Sequence, residues 1–205
     1  MDGQEYLNQI SASTRPTNPP KSNGIFSSKF FLIGAIGLGT LIVIIIIGAI
    51  LGSNKGGEKE DSIKLFLHLN NTVELIDEYQ PSVESSTLRS SSASLKGSLS
   101  DTSKKMEEYL VAKYNFKEKD VDKKTLQQLT SEKESLNEEL FEAKINGILD
   151  RIYAHKMSYE IQVFIAENSK VLKVAKDDVI KEILDTFNLS LENLYDQFND
   201  FSEGK

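Results

Sequence analysis

The chain has 205 residues, 39% hydrophobic and 27% charged, with a formal net charge of −7, no Cys, no Trp and two His. Disulfides, zinc–thiolate sites and Cys nucleophiles are therefore excluded, and two His leave little from which to build a metal or acid–base centre. The apolar residues are unevenly spread, so that one short segment is almost wholly apolar and most of the rest is strongly polar.

Residues 1–29 carry Pro16, Pro19 and Pro20 among Ser, Thr, Asn and Lys, with only a brief EYLNQI of apolar character. Such a segment cannot bury enough surface to offset chain entropy, and it is expected to be a disordered leader. From Phe30 to Leu51 follows FFLIGAIGLGTLIVIIIIGAIL, 22 residues without a charge. At ~1.5 Å per residue this run spans about 33 Å, enough for a hydrocarbon core of ~30 Å, so 30–51 is expected to be a transmembrane helix. The run exceeds the usual apolar length of a secretory signal and has no small-x-small site at its end, which favours an anchor that is retained.

Arg15, Lys21 and Lys29 before the span balance Lys55, Lys59 and Lys64 after it, and charge alone does not orient it. A short leader ahead of an uncleaved anchor favours a cytoplasmic N-terminus and an extracytoplasmic C-terminal domain at the cell membrane. Gly48-Ala-Ile-Leu-Gly52 is a small-xxx-small pattern, and Gly48 and Gly52 are the candidates for packing two anchors into a homodimer. Residues 52–61, beginning Gly-Ser-Asn-Lys-Gly-Gly, read as a flexible hinge.

Residues 58–205 hold 20 Lys/Arg against 29 Asp/Glu, a net of −9, which argues against a nucleic acid as partner. Few Gly and Pro interrupt them and no strand-like alternation is present, so 62–205 is expected to be an antiparallel bundle of about four helices, and the fold class all-α. A first helix runs from Asp61 as N-cap to Gln80, where Pro81 stops it, with Phe66, Leu69, Val73 and Ile76 at helical spacing. A second, from about Ser82 to Asn115, keeps Leu88, Leu95, Leu99, Met106 and Leu110 in phase but is Ser-rich, and is expected to be loosely packed or partly disordered, above all over 82–103.

Ser131-Glu-Lys-Glu134 fits a capping box that opens the longest helix. Its stripe comprises Leu136, Leu140, Phe141, Ile145, Ile148, Ile152, His155, Tyr159 and Val163, and it is expected to be the centre of the core. The pattern weakens around Asn168-Ser-Lys170. A last helix starts near Asp177 or Asp178, with Ile180, Leu184, Phe187, Leu191, Leu194, Phe198 and Phe201 in steps of four and three, the pattern of a bundle seam.

A ferritin-like di-iron site needs Glu-x-x-His on facing helices. Ile152 and Leu65 stand three residues before His155 and His68, so that motif is absent. His155 with Tyr159, lying on the apolar stripe, is instead a candidate buried polar site. Glu138, Glu139, Glu142, Asp150 and Arg151 read as a solvated helix face, with pairs such as Glu139 and Lys144, rather than an acid–base centre. No phosphate loop, nucleophile motif or metal cluster is evident, and no cofactor and no enzymatic activity are expected.

The segment FEAKINGILDRIYAHKMSYEI, together with the EYLNQISAS leader, the single span and the FNDF near the end, resembles uncharacterised single-pass membrane proteins of Saccharibacteria-like, ultrasmall host-dependent bacteria. More faintly, the long helix around His155 followed by a seam helix is similar to extracytoplasmic ferritin-like helical domains of unknown function. The resemblance implies an anchored helical domain and no activity. The sequence thus leads to a single-pass protein whose partners are the lipid bilayer and, through the helical domain, another protein. A ligand-binding or sensory bundle at the cell surface, with a small molecule between the third and fourth helices, is the alternative.

Overall fold

A computed structural model describes residues 57–117, 119 and 121–203. Among these residues there are five α-helices and no strand: α1 (Glu58–Tyr79), α2 (Ser86–Tyr114), α3 (Lys123–Ile145), α4 (Leu149–Val174) and α5 (Asp178–Glu203). The all-α class is as expected, with five helices in place of about four. None of them is long and apolar enough to cross a membrane. The expected leader at 1–29, the span at 30–51 and its Gly48 and Gly52 lie outside the described residues.

The chain enters the bundle one helical turn earlier than expected. Gly57, not Asp61, is the N-cap of α1, and the Glu60 carboxylate accepts from the Gly57 N–H at 3.2 Å, so 58–61 is the first turn of a helix rather than part of a hinge. Pro81 ends α1 as anticipated, because it has no N–H to extend the ladder; a 3₁₀ turn over Gln80–Ser82 completes the reversal.

The Ser-rich α2 is ordered, and its apolar face is among the best buried in the molecule, with Leu95, Leu99, Met106 and Leu110 all at 0% exposure. Its hydroxyls are small enough to sit at the interface and find partners there. Ser92 Oγ donates to the Leu88 carbonyl at 2.8 Å, Ser91 Oγ to Gln197 Oε1 of α5 at 2.8 Å, and Ser103 Oγ to Asn70 Oδ1 of α1. Ser85 caps the helix, accepting from the Leu88 N–H, while the Asp150 carboxylate accepts from the Glu84 and Ser85 N–H groups. Asn115, left-handed at φ 49°, closes it.

The expected single long helix is two. α3 starts at Lys123 behind the Asp122 cap, not at Ser131, and stops at Ile145; α4 begins at Leu149. Gly147 at φ +69° makes the break, with Gly147 N–H bonded to the Lys144 carbonyl at 3.2 Å and Ile148 N–H to the Ala143 carbonyl at 3.0 Å. These are the two bonds of a Schellman motif, which glycine accommodates because no Cβ opposes a positive φ. The stripe drawn through both helices accordingly reaches the core only at its ends: Leu136, Leu140 and Val163 are buried, whereas Phe141, Ile145 and Ile148 beside the break are 55%, 66% and 51% exposed. α4 continues through Asn168, which is fully buried and donates to the Leu184 carbonyl at 2.8 Å.

Four helices pack in the ring α1–α2–α5–α4, each antiparallel to its neighbours, and α3 lies against α1 and α4. α3 runs parallel to α1, with Asn71 donating to the Leu129 carbonyl at 3.4 Å, Glu74 paired with Lys133, and the Tyr79 hydroxyl 2.7 Å from Asn137 Oδ1. The α5 seam is buried from Ile180 through Leu184, Phe187, Leu191 and Leu194 to Phe198, and it closes a core that also holds Phe164 and Tyr153.

Candidate functional site

The most unusual chemistry of the bundle lies between α1 and α4. His68 is buried on α1 with both ring nitrogens engaged: Nδ1 is 2.8 Å from Glu167 Oε2 and Nε2 is 2.9 Å from Glu160 Oε2. Ionised carboxylates only accept, so an imidazole held between two of them donates from both nitrogens and is the imidazolium. Burial alone opposes that charge; the charge of Glu167 and the bonds to both carboxylates outweigh it and raise the His68 pKa to about 10. Burial likewise pushes the Glu167 carboxyl up, but His68 and Lys64 bring it below its ordinary value.

Lys64 Nζ, 3.2 Å from Glu167 Oε1, completes the balance, so that two cations face two anions. One turn on, Lys170 reaches back from α4 to Asp61 at 2.8 Å. The sequence places these groups where an antiparallel pair of helices must bring them together: Asp61, Lys64 and His68 step by three and four along α1, and Lys170, Glu167 and Glu160 descend α4 by three and seven. Phe164, between the two Glu residues, stacks its ring 4.5 Å from that of His68.

With both nitrogens committed, His68 has no lone pair to serve as a base or a metal ligand. No group of three or more His, Asp or Glu among the described residues has a metal-holding arrangement. The cleft beside the triad, lined by His68, Asn71, Thr72, Leu129, Glu132 and Glu160 among others, offers about 20 Å³, room for a water rather than an organic ligand. The arrangement is a charged lock that fixes the register of α1 against α4.

A second cluster bolts the start of α1. Glu58 Oε1 accepts from Tyr109 and Tyr114 hydroxyls at 2.5 and 2.8 Å and from Lys113 Nζ at 2.6 Å, while Oε2 accepts from the Lys176 N–H at 2.9 Å. Burial pushes this carboxyl up, but the bonds from Lys113, Tyr109, Lys176 and Tyr114 prevail and lower it to about 2. Lys113 also pairs with Asp177 at 3.3 Å. One carboxylate thus joins α1, the end of α2 and the α4–α5 connection.

The residues singled out from sequence fall elsewhere. His155 is exposed, and Tyr159 is half-buried, so the buried polar site belongs to His68 instead. Partial desolvation, then the cations of Lys156 and Arg151, lower the His155 pKa. Glu138, Glu139 and Glu142 are exposed, Glu139 pairs with Lys156 rather than Lys144, and Asp150 serves as a cap for α2. Sequence reasoning tested His68 only for a carboxylate on its own helix, whereas its partners are 92 and 99 residues away. The available signal was the pair Glu160 and Glu167, two turns apart on one face of a stretch whose other residues are apolar except Gln162. No family model matches this chain, and neither does any curated protein or solved structure.

Proposed function

We propose that this is a single-pass membrane-anchored protein whose extracytoplasmic helical bundle serves as an interaction or structural module, with the lipid bilayer as one partner and another protein as the other. The observation that carries the reading is the bolt at Glu58. The residue at which the chain enters the bundle, seven positions after the apolar run ending at Leu51, is tied at once to the end of α2 and to the α4–α5 connection. A load or a tether arriving there meets the whole end of the bundle rather than a fraying helix turn. The water-sized cleft beside His68 supports a module that holds and docks over one that encloses a small molecule there.

Because the chain has no Cys, single introduced thiols report topology without background. Ser100, exposed on α2, is replaced by Cys in one variant and Ser13 of the leader in another. On intact cells a membrane-impermeant maleimide is expected to label Ser100→Cys and not Ser13→Cys. The opposite pattern overturns the orientation, and recovery of both proteins in the soluble fraction overturns the anchor.

A further inference from the structure

The lysines of this acidic bundle are not spread evenly over it. Glu58 ties the entry of α1 to the end of α2 and to the α4–α5 connection, and Phe116 of the α2–α3 connection packs edge-on against Phe66. One end of the bundle therefore gathers residues 58–64, 108–129 and 168–184, which hold 11 Lys against 10 Asp/Glu, whereas the remainder of 58–205 holds 9 Lys/Arg against 19 Asp/Glu.

The two signs are also used differently at this end. The Glu58 carboxylate accepts from Lys113 and two tyrosines, Glu60 from the Gly57 N–H and Asp122 from the Thr125 N–H, while Asp61 pairs with Lys170. Lys117, Lys119, Lys123, Lys173 and Lys176 are exposed and form no ion pair among the described residues. The carboxylates are thus held against the protein, and the lysines are left to reach outward on long side chains. Beside them stand bare apolar groups: Val111 in the last turn of α2, Val174 at the end of α4 and Val179 in the first turn of α5 are 48%, 38% and 57% exposed.

We propose that this end of the bundle docks on the surface of an anionic phospholipid bilayer, with the lysines on the headgroup phosphates and the three valines at the interface. The inference rests on the anchored reading above and deepens it, from a bundle that hangs on a tether to one seated on the lipid. Exposed lysines interleaved with apolar side chains are the composition that binds an anionic interface. The six residues between Leu51 and Glu58 reach at most about 20 Å, so an anchored bundle is held with this end at a high effective concentration of headgroups. A free polyanion has no such tether and meets the net charge of −9 of residues 58–205. At ~1.5 Å per residue the 22 residues of α1 put the far, acidic end about 30 Å away, well beyond a Debye length of about 8 Å, so that end does not oppose the docking.

The test uses the full chain, reconstituted into vesicles of phosphatidylcholine alone and of phosphatidylcholine with an equal part of phosphatidylglycerol. With no native Cys, an environment-sensitive fluorophore is placed at Val174→Cys or, at the far end of α2, at exposed Ser90→Cys. The emission at position 174 is expected to shift to the blue in the anionic vesicles relative to the neutral ones, with no difference at position 90. The shift should shrink in 1 M salt, where the Debye length is about 3 Å. It should be lost when Lys117, Lys119, Lys173 and Lys176 are all replaced by Gln. Equal emission at position 174 in both vesicles overturns the proposal, as does a Gln variant that keeps the full shift. Flotation reports the anchor separately. A chain that floats with both vesicles and shows no shift keeps the anchor and loses the docking; one that floats only with the anionic vesicles, with the shift, keeps the docking and loses the anchor.

Discussion

Two helix interfaces of this bundle are polar in sequence and differ in how their polarity is satisfied. Between α1 and α4, His68, Lys64, Glu160 and Glu167 are charged groups that need each other across the interface. On α2, the hydroxyl of Ser92 is returned to the helix's own backbone, and Ser91 and Ser98 meet single uncharged partners on α5. The first interface is specific because every member is stranded if one is lost; the second is tolerant because a hydroxyl can fall back on the carbonyl four residues earlier.

That contrast is broken most sharply by His68→Ala. The substitution leaves Glu160 and Glu167 facing each other in a buried site and should cost about 3–5 kcal/mol, the range for removing one member of a buried charge network. Replacing His68, Glu160 and Glu167 together by Leu or Met should recover most of the loss, since well-packed apolar groups replace buried charges at little cost. Urea unfolding followed by helical circular dichroism measures both, and a triple variant no more stable than His68→Ala would contradict this account.

The charged interface also gives stability a pH dependence that the serine interface lacks. The pKa of His68 is raised in the folded state, so its contribution is complete below its unfolded value of about 6.5 and is lost as pH rises towards about 10. The Glu167 pKa is lowered, so its contribution is present above about 4.5 and is lost as pH falls. Unfolding free energies should therefore peak between about pH 4.5 and 6.5 and decline by about pH 9. His68→Gln should flatten the decline on the alkaline side, and Ser92→Ala should leave it intact.

At the entry of the chain, Glu58→Gln keeps the shape of the bolt but removes the charge that Lys113 and both tyrosines address. A loss of about 1–3 kcal/mol is expected, as for hydrogen bonds to a charged group, together with faster hydrogen exchange in the first turns of α1. The smallest effect belongs to the serine interface: Ser92→Ala removes a hydroxyl that donates to the Leu88 carbonyl of its own helix and also reaches the Tyr153 hydroxyl, and should change stability by about 1 kcal/mol. A loss as large as that of His68→Ala would erase the distinction between the two interfaces.

Local patterns in the sequence were enough to identify the helical class and some helix ends, but not the break between α3 and α4. Pro81 stops α1 because proline lacks an N–H, and the steps of four and three along α5 place Ile180 to Phe198 on one buried face. The serines misled because composition suggested a thin, loose helix, whereas Leu95 and Leu99 are fully buried among them. Small residues bring helices close only once the neighbours, here α1 and α5, are in place.

What the sequence by itself determined is the class of structure: helices, the buried face of α5, an acidic composition and the absence of thiol chemistry. Tertiary structure decided two things. Gly147 lies beside a stripe that runs on from Ile145 to Ile148 and Ile152, and periodicity does not report the sign of φ; only packing α3 back against α1 and α4 selects the turn. His68 looks inert in its own helix, because the carboxylates that keep it charged arrive from α4 across the fold, and a pKa belongs to a place rather than to a residue.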